Sequence, residues 1–182
     1  MTNFFKKYWQ LFTIAVVLVV LDQITKQIVR TSLAIGETWT PFEWLAPYAR
    51  IVHWNNTGAA FGIFQGYNPV FMILAIVVSC AIIYYYPRVP REERLIRFAL
   101  GMQLGGALGN LVDRFTVGQV TDFISVGNFA VFNIADSGIS VGVALLLLGI
   151  YLNEQKAKRQ TESNPNNEPA SEDQSENGND LG

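Results

Sequence analysis

Long apolar blocks separated by short polar stretches dominate the pattern of the chain. Residues 51–87 contain no Asp, Glu, Lys or Arg, and further apolar blocks begin near residues 11, 98 and 137. A helix needs about 20 mostly apolar residues to cross the hydrocarbon core of a bilayer. The pattern therefore predicts a mainly α, polytopic membrane protein with four transmembrane helices. We place these spans at about residues 9–28, 69–86, 98–114 and 134–152.

The segment between the first two spans, about residues 31–68, has a different pattern. Residues 50–55 are β-branched and aromatic, which is typical of a strand, and glycines and prolines punctuate the rest. The segment is unusually apolar for an aqueous loop, so we expect a small β-rich element lying on the membrane surface. His53 stands alone among aromatic residues, and we interpret it as a surface or membrane-belt residue rather than a catalyst.

A cleavable signal peptide is the alternative interpretation of the first span. Lys6 and Lys7 precede a short apolar run, and Ser32-Leu33-Ala34 resembles a small-residue cleavage site. Three charged residues lie between the run and that site, however, and their distance and charge argue against processing. We therefore expect the first block to remain as a membrane span.

Charge is distributed unevenly and indicates an orientation. Nine of the thirteen Lys and Arg residues fall on the inner side if the N-terminus is cytoplasmic, so the positive-inside rule places both termini in the cytoplasm. Residues 160–182 hold six of the fifteen acidic residues, no basic residue and almost no large apolar residue. This composition predicts a disordered, acidic cytoplasmic tail. It follows a single membrane-embedded domain, residues 1–159.

The single cysteine and single histidine exclude an intrachain disulfide scaffold and a zinc site of the His/Cys kind. The net charge of −2 disfavours a nucleic-acid binder. These exclusions direct attention to the carboxylates and amides within the apolar blocks.

Polar residues gather at the outer ends of the predicted spans. A charged residue at the centre of a span costs about 2.5–3.5 kcal/mol, so such residues are functional candidates. Asp113 and Arg114 are neighbours that cannot face each other along a helix, so each needs a partner elsewhere. The common depth of the whole set indicates one site. Its members are Asp22, Lys26, Asn110, Asp113, Arg114, Asp122, Asn133 and Asp136.

Part of this pattern also has a purely structural interpretation. Asp22 and Lys26 are four residues apart and could neutralise each other on one helix face. Gly101, Gly105 and Gly109 recur every four residues, which is typical of a close helix-packing face. Neither feature by itself requires a function.

Asp122 and Asp136 are the pair to which we assign chemistry, because neither has an evident cationic neighbour in sequence. If the two carboxylates approach within about 4 Å, their repulsion at an effective dielectric near 20 is roughly 4 kcal/mol. The pair could then hold one shared proton near neutral pH, as in an aspartic peptidase. Two other functions remain open: a proton-coupled transporter with Asp22, Asp113 and Asp136 as a relay, and a non-catalytic membrane adaptor.

Five short blocks of the chain carry a further signal. In chain order they are Asp22-Gln-Ile-Thr-Lys26, Asn56-Thr-Gly-Ala-Ala-Phe61, Gly106-Ala-Leu-Gly-Asn-Leu-Val-Asp-Arg114, Gly118-Gln-Val-Thr-Asp122-Phe and Phe132-Asn-Ile-Ala-Asp136-Ser. Together these blocks closely resemble the lipoprotein signal peptidases (signal peptidase II), a family of bacterial membrane aspartic peptidases. The resemblance spans most of residues 8–152, and Thr121 stands where the family usually has Val.

The resemblance implies a four-helix body with a small extracytoplasmic β-cradle in the bacterial plasma (inner) membrane, and an active site toward the outer face. The family's substrate is a prolipoprotein whose lipobox cysteine already carries diacylglycerol, and cleavage falls just before that cysteine. We accordingly expect substrate and membrane lipid as partners, no nucleic acid, no metal, no cofactor and a monomeric enzyme.

By the same resemblance, Asp122 and Asp136 take the places of the catalytic aspartates. Asp22 and Lys26 match a pair that is expected to brace the fold beside the site. We also expect the aromatic outer segment to fold over the scissile bond as a lid. The positions expected to shape the site or contact substrate are Asn56, Gly58, Gly106, Asn110, Arg114, Asn133 and Ala135.

Overall fold

The computed structural model describes residues 2–58 and 66–163, with side chains described within 7–58 and 66–160. The chain divides into Met1–Gly149, which holds the sheet and the site, and Ile150–Gly182, of which the structure describes the end of the last helix. Two short 3-10 turns occupy Glu43–Leu45 and Tyr86–Arg88. The long helices are α1 (Thr2–Ser32), α2 (Asn68–Tyr85), α3 (Arg94–Thr116) and α4 (Ile134–Ser163).

Each of these helices is long and apolar enough to cross a membrane, which confirms the predicted polytopic helical fold. The helix α4 continues past the predicted span end near residue 152 and includes the first residues of the predicted tail. Residues 164–182 of that tail lie outside the described residues. The membrane-capable stretches are Lys7–Ser32, Asn68–Arg88, Arg94–Thr116 and Ile134–Gln160.

Helix α3 packs against both α1 and α2 and is the most buried of the long helices. Its glycines make this possible, because a Cβ at Gly101 would lie 2.9 Å from the Ile14 Cβ, and one at Gly105 would lie 2.9 Å from the Ala15 carbonyl oxygen. Both distances are too short for a side chain. The glycine stripe is therefore a packing face toward α1, as the structural interpretation predicts.

The strands form one antiparallel sheet in the order β1 (Thr38–Trp39), β2 (Ala49–Asn56) and β3 (Val120–Val126). The strand expected at residues 50–55 lies within β2. The third strand, β3, comes from the connection between α3 and α4, where the sequence analysis assigned no strand. Its residues are buried on both faces, so it lacks the polar–apolar alternation that marks a half-exposed strand.

A sharp turn places β3 directly against the end of α3. Gly118 adopts a φ of +81°, a left-handed conformation that glycine tolerates best. The backbone N–H groups of Val117 and Gly118 both donate to the Asp113 carbonyl oxygen, at 2.8 and 3.2 Å. This glycine C-cap returns the chain so that the start of β3 faces the last turn of the helix it has just left.

The sequence-based placement of His53 on the surface is wrong. His53 is 7% exposed, and its Nδ1 lies 2.9 Å from the Leu33 carbonyl oxygen. Its backbone N–H donates to the Glu37 carbonyl oxygen at 3.1 Å, and its own carbonyl oxygen accepts from Gly36 at 2.8 Å. The residue therefore ties β2 to the end of α1, a long-range contact that its aromatic neighbours in sequence do not reveal. The expected lid is the outer segment, about residues 31–68, and its residues 59–65 lie outside the described residues.

Candidate active site

A cavity of about 750 Å³ opens beside the sheet and between helices α2, α3 and α4. Both Asp122 and Asp136 line it, although they come from different elements, β3 and α4. Apolar side chains from α2 and α4 form much of its remaining wall. The predicted site residues that also line it are Asn56, Gly58, Asn110 and Arg114.

Asp122 is held by two amide donors. It is 1% exposed, and its Oδ1 accepts from Asn133 Nδ2 at 2.6 Å while its Oδ2 accepts from Asn56 Nδ2 at 2.9 Å. Asn56 reaches it because Trp54, two residues earlier on the same face of β2, pairs with Asp122 across the sheet. Burial and the nearby Asp136 carboxylate raise the pKa of Asp122 to about 7, although both amides favour the charged form.

Asp136 is oriented by the first turn of α4. Its Oδ2 accepts from the Asn133 backbone N–H at 3.1 Å, and its own backbone N–H donates to Asn133 Oδ1 at 2.9 Å. These reciprocal bonds form a capping box, with Asn133 as the cap. The other carboxylate oxygen accepts from Asn110 Nδ2 at 2.7 Å. The spacing of three residues between Asn133 and Asp136 thus fixes the carboxylate at the cavity wall.

Asn133 links the two carboxylates. Its Nδ2 lies within 3.1 Å of Asn110 Oδ1 and 3.4 Å of the Thr121 carbonyl oxygen, besides its bond to Asp122. The residue is completely buried. It can reach Asp122 because Phe132 bonds to the far edge of β3, exchanging backbone hydrogen bonds with Ile124 at 2.8 and 3.0 Å. The chain therefore returns along β3 and delivers Asn133 next to Asp122.

A second buried cluster, which we call the ion-pair network, lies behind this wall. It contains Asp22, Lys26, Arg30 and Asp113. Lys26 Nζ lies 2.8 Å from Asp22 Oδ2 and 3.2 Å from Asp113 Oδ2, and Arg30 Nη2 lies 2.7 Å from Asp113 Oδ1. Lys26 also donates to Asn110 Oδ1 at 2.9 Å. Two acids therefore face two bases, and Lys26 connects the network to the amide that holds Asp136.

Asp22 does more than neutralise Lys26. Its Oδ1 accepts from the Ala135 backbone N–H at 2.9 Å, which satisfies a free donor in the first turn of α4. Ala135 is completely buried. A Cβ at Gly106 would clash with the Ala135 carbonyl oxygen and lie 2.6 Å from the Ile139 side chain. Gly106 and Ala135 thus lie behind the cavity wall, where they let α3 and α4 approach.

Arg114 reaches into the cavity with unused hydrogen-bonding capacity. Its contacts are long: Nη1 lies 3.4 Å from the Asn110 carbonyl oxygen, and Nη2 lies 3.5 Å from the Gly58 carbonyl oxygen. Its Nε is buried and has no hydrogen-bond partner among the described residues. Gly58 is itself fixed, because its N–H donates to Asn56 Oδ1 at 2.9 Å. The guanidinium therefore lines the same cavity as both aspartates, and part of its hydrogen-bonding capacity is unused.

Three residues that the sequence analysis did not assign to the site belong to the ion-pair network or bond to it. Arg30 Nε donates to Thr121 Oγ1 at 2.8 Å, and the Thr121 N–H donates to Asp113 Oδ2 at 3.0 Å. Gln23 Nε2 lies 3.0 Å from Asp113 Oδ1 and 3.1 Å from Asp22 Oδ2. The sequence shows that Thr121 replaces the family's usual Val. It does not show the contact with Arg30, which is 91 residues away.

No group of three or more His, Cys, Asp or Glu side chains within the described ranges is arranged to hold a metal ion. The expectation that the reaction needs no metal remains a prediction from the sequence. Asp22 and Asp113 form ion pairs with Lys26 and Arg30, whereas Asp122 and Asp136 are held by amide donors. Two carboxylates held in this way beside a cavity can share a proton and activate water.

Comparison with known proteins shows the family to which the chain is related. The family model described as signal peptidase (SPase) II matches residues 14–152. A lipoprotein signal peptidase of Shouchella clausii is 39% identical over 151 residues, covering 82% of this chain and 98% of the relative. Another, of Halalkalibacterium halodurans, is 37% identical over 153 residues, covering 82% and 96%. A solved bacterial membrane enzyme has a TM-score of 0.71 at 31% identity, covering 88% of this chain and 94% of that one.

Proposed function

This chain belongs to the signal peptidase II family, and we propose that it removes the signal peptide from diacylglyceryl-modified prolipoproteins. In this proposal it is an intramembrane aspartic endopeptidase that cleaves before the lipidated cysteine. One observation carries the proposal: Asp122 and Asp136 face a single cavity, and each is held by amide donors rather than by a cation. An ion pair would fix a carboxylate in its charged form, whereas an amide leaves it free to exchange a proton.

The proposed reaction uses one proton shared by the pair. One aspartate, as the carboxylate, removes a proton from a water molecule, whose oxygen attacks the scissile carbonyl carbon. The other aspartate, as the acid, donates its proton to the carbonyl oxygen. Collapse of the tetrahedral intermediate breaks the C–N bond: the leaving amine takes a proton from the pair, and a hydroxyl of the intermediate returns a proton to the pair as the carboxyl product forms. The raised pKa of Asp122, about 7, supports a proton on the pair at neutral pH, and the pair titrates as a unit.

Arg114 is the proposed anchor for the substrate's main chain. Its guanidinium has a buried Nε without a partner and two long contacts, so it can donate to peptide carbonyl oxygens near the scissile bond. Asn56, Asn110 and Asn133 orient the two aspartates. Asp22 and Lys26 brace the first turn of α4 and the Asn110 side chain.

The apolar wall of the cavity suits an amphiphilic substrate. Phe71, Leu74, Ala75 and Val78 recur at helical spacing on α2 and line the cavity together. Acyl chains and the apolar signal sequence could enter between the helices from the lipid. The charge distribution supports cytoplasmic termini and a site toward the outer face of the bacterial plasma membrane. We propose that the enzyme works there as a monomer.

Cleavage of a defined substrate tests the proposal. Purified protein in detergent is incubated with a diacylated lipobox precursor, and a gel resolves precursor from product. We expect cleavage by the wild type and by Glu43→Gln, which removes a carboxylate in the outer segment, and none by Asp136→Asn. Absence of cleavage by the wild type would refute the proposal and favour the transporter or adaptor hypothesis. Cleavage by Asp136→Asn would refute the two-aspartate mechanism.

A further inference from the structure

Gln103 of α3 lines the same cavity as the two aspartates, at a position nearer to the start of that helix than Asn110. It lines the wall together with Asn110, which holds Asp136 and lies seven residues further along the helix. Seven residues of α-helix correspond to about 10.5 Å. The same cavity wall includes apolar residues such as Ala107 and Val78. Gln103 is therefore a polar side chain on a wall that carries many apolar residues.

The Gln103 side chain has a fixed stem and an unsatisfied end. A Cβ at Gly142 of α4 would lie 2.8 Å from the Gln103 Cγ, so the glycine provides the space that the stem occupies. The amide nitrogen Nε2 is buried and has no hydrogen-bond partner within the described part of the chain. Placing a polar group in a membrane span costs free energy, so such a residue is a candidate for a functional role. This one lacks the acceptor that an amide donor requires.

We propose that the Gln103 carboxamide binds an ester carbonyl oxygen of the substrate's diacylglyceryl group. This inference rests on the proposed function. An ester carbonyl accepts hydrogen bonds and carries no donor of its own, so it needs a donor wherever it is buried. The terminal torsion of a Gln side chain is broad and roughly two-fold, so the amide N–H can turn toward the cavity while the stem stays against Gly142.

The length of the lipid linker matches the position of Gln103. Eight bonds separate the scissile carbonyl carbon from the first ester carbonyl carbon, through the cysteine side chain, its thioether and the glycerol. An extended chain advances about 3.3–3.6 Å for every three bonds, so these bonds reach roughly 9–10 Å. That distance is close to the rise along α3 from Asn110, beside Asp136, down to Gln103. A helical signal peptide would satisfy its own carbonyl groups and has less need of this donor.

An ether analogue of the lipid separates this role from a structural one. The substrate is prepared in two forms, with the usual diacyl esters and with dialkyl ethers that lack the carbonyl oxygens. We expect the wild type to show a KM about tenfold higher for the ether form, the effect of one lost hydrogen bond. Gln103→Met keeps the length of the side chain but removes the amide, so its KM should be the same for both forms. The kcat should change little in either comparison.

Two further variants make the test decisive. Gln27→Met makes the same chemical change on an exposed face of α1 and should discriminate between the substrates as the wild type does. Ser140→Ala removes a different kind of donor, a hydroxyl group, from the cavity wall. Loss of discrimination in Ser140→Ala but not in Gln103→Met would overturn the proposal, as would a wild type with equal KM values. Failure of the wild type to cleave the diacyl substrate would instead refute the proposed function.

Discussion

The two buried polar clusters of this protein differ in how their carboxylates are compensated. In the ion-pair network, Asp22 and Asp113 face Lys26 and Arg30 at 2.7–3.2 Å, and both acids are completely buried. In the cavity, Asp122 and Asp136 face the amides of Asn56, Asn110 and Asn133. Both clusters consist largely of residues that the resemblance also marks.

In the proposed function, this difference separates the residues that support the site from the residues that carry out the reaction. A balanced set of charges is stable as long as every partner remains, because the removal of one leaves a buried charge unpaired. Neutral amides orient a carboxylate without fixing its protonation state. The ion-pair network also touches the site at defined points, since Lys26 donates to Asn110 and Asp22 accepts from Ala135. It therefore supports the aspartates from behind while the cavity side stays open for reaction.

The largest expected effect comes from the same substitution at either cavity aspartate. Asp122→Asn and Asp136→Asn each remove a carboxylate that must exchange a proton, so we expect turnover to fall by about 10³-fold or more. The double variant should add little, because the pair acts as a unit. The measurement is the initial cleavage rate beside binding of intact precursor. Appreciable turnover by either single variant would contradict the assignment of the reaction to the two cavity aspartates.

Asp113→Asn makes the matched change in the ion-pair network. It leaves Lys26 and Arg30 with one carboxylate fewer, and we expect a loss of stability of about 3–5 kcal/mol. Thermal unfolding in detergent measures this loss. The fraction that remains folded should retain far more specific activity than Asp136→Asn. An unchanged midpoint, or inactivity of fully folded protein, would remove the distinction between the two clusters.

Thr121→Val tests the contact that joins the network to the strand of Asp122. Valine preserves the shape of threonine but loses the hydroxyl that accepts from Arg30 at 2.8 Å, while the Thr121 N–H bond to Asp113 remains. We expect a stability loss of about 0.5–1.5 kcal/mol, with cleavage reduced only slightly. Arg30→Met should cost more, because it also removes one of the two cations that face Asp113. Equal losses in the two variants would argue against a separate contribution of the hydroxyl.

The smallest expected effect is a shift of the pH profile. Since the pKa of Asp122 is raised to about 7, the shared proton should be lost and turnover should fall as the pH rises through that region. The Asn56 amide favours the charged form, so its removal in Asn56→Ala should raise this pKa further and move the alkaline limb to higher pH. Asn128→Ala, at an exposed position, is the matched control. If the alkaline limb of Asn56→Ala moves to lower pH, this would contradict the assignment of that limb to Asp122.

The candidate site was largely visible in the sequence because its residues occur in short blocks. Asn133 and Asp136 are three residues apart, a spacing that a helix start turns into reciprocal bonds. Asn110 and Arg114 lie on one helix face. The partners of Asp113 were not visible, because its contact with Arg30 joins residues that are 83 positions apart. Local spacing cannot encode such a pairing.

The sequence by itself determined the number and placement of the membrane-capable helices, since a run of apolar residues of helix length has few alternatives in a bilayer. It also determined that the polar residues gather at one end of those helices. Only the tertiary structure decided that β3 pairs with β2, that His53 is buried, and which carboxylates find cations. The physical reason is that strand pairing and charge compensation depend on partners distant in the chain, whereas hydropathy and helix caps act within a few residues.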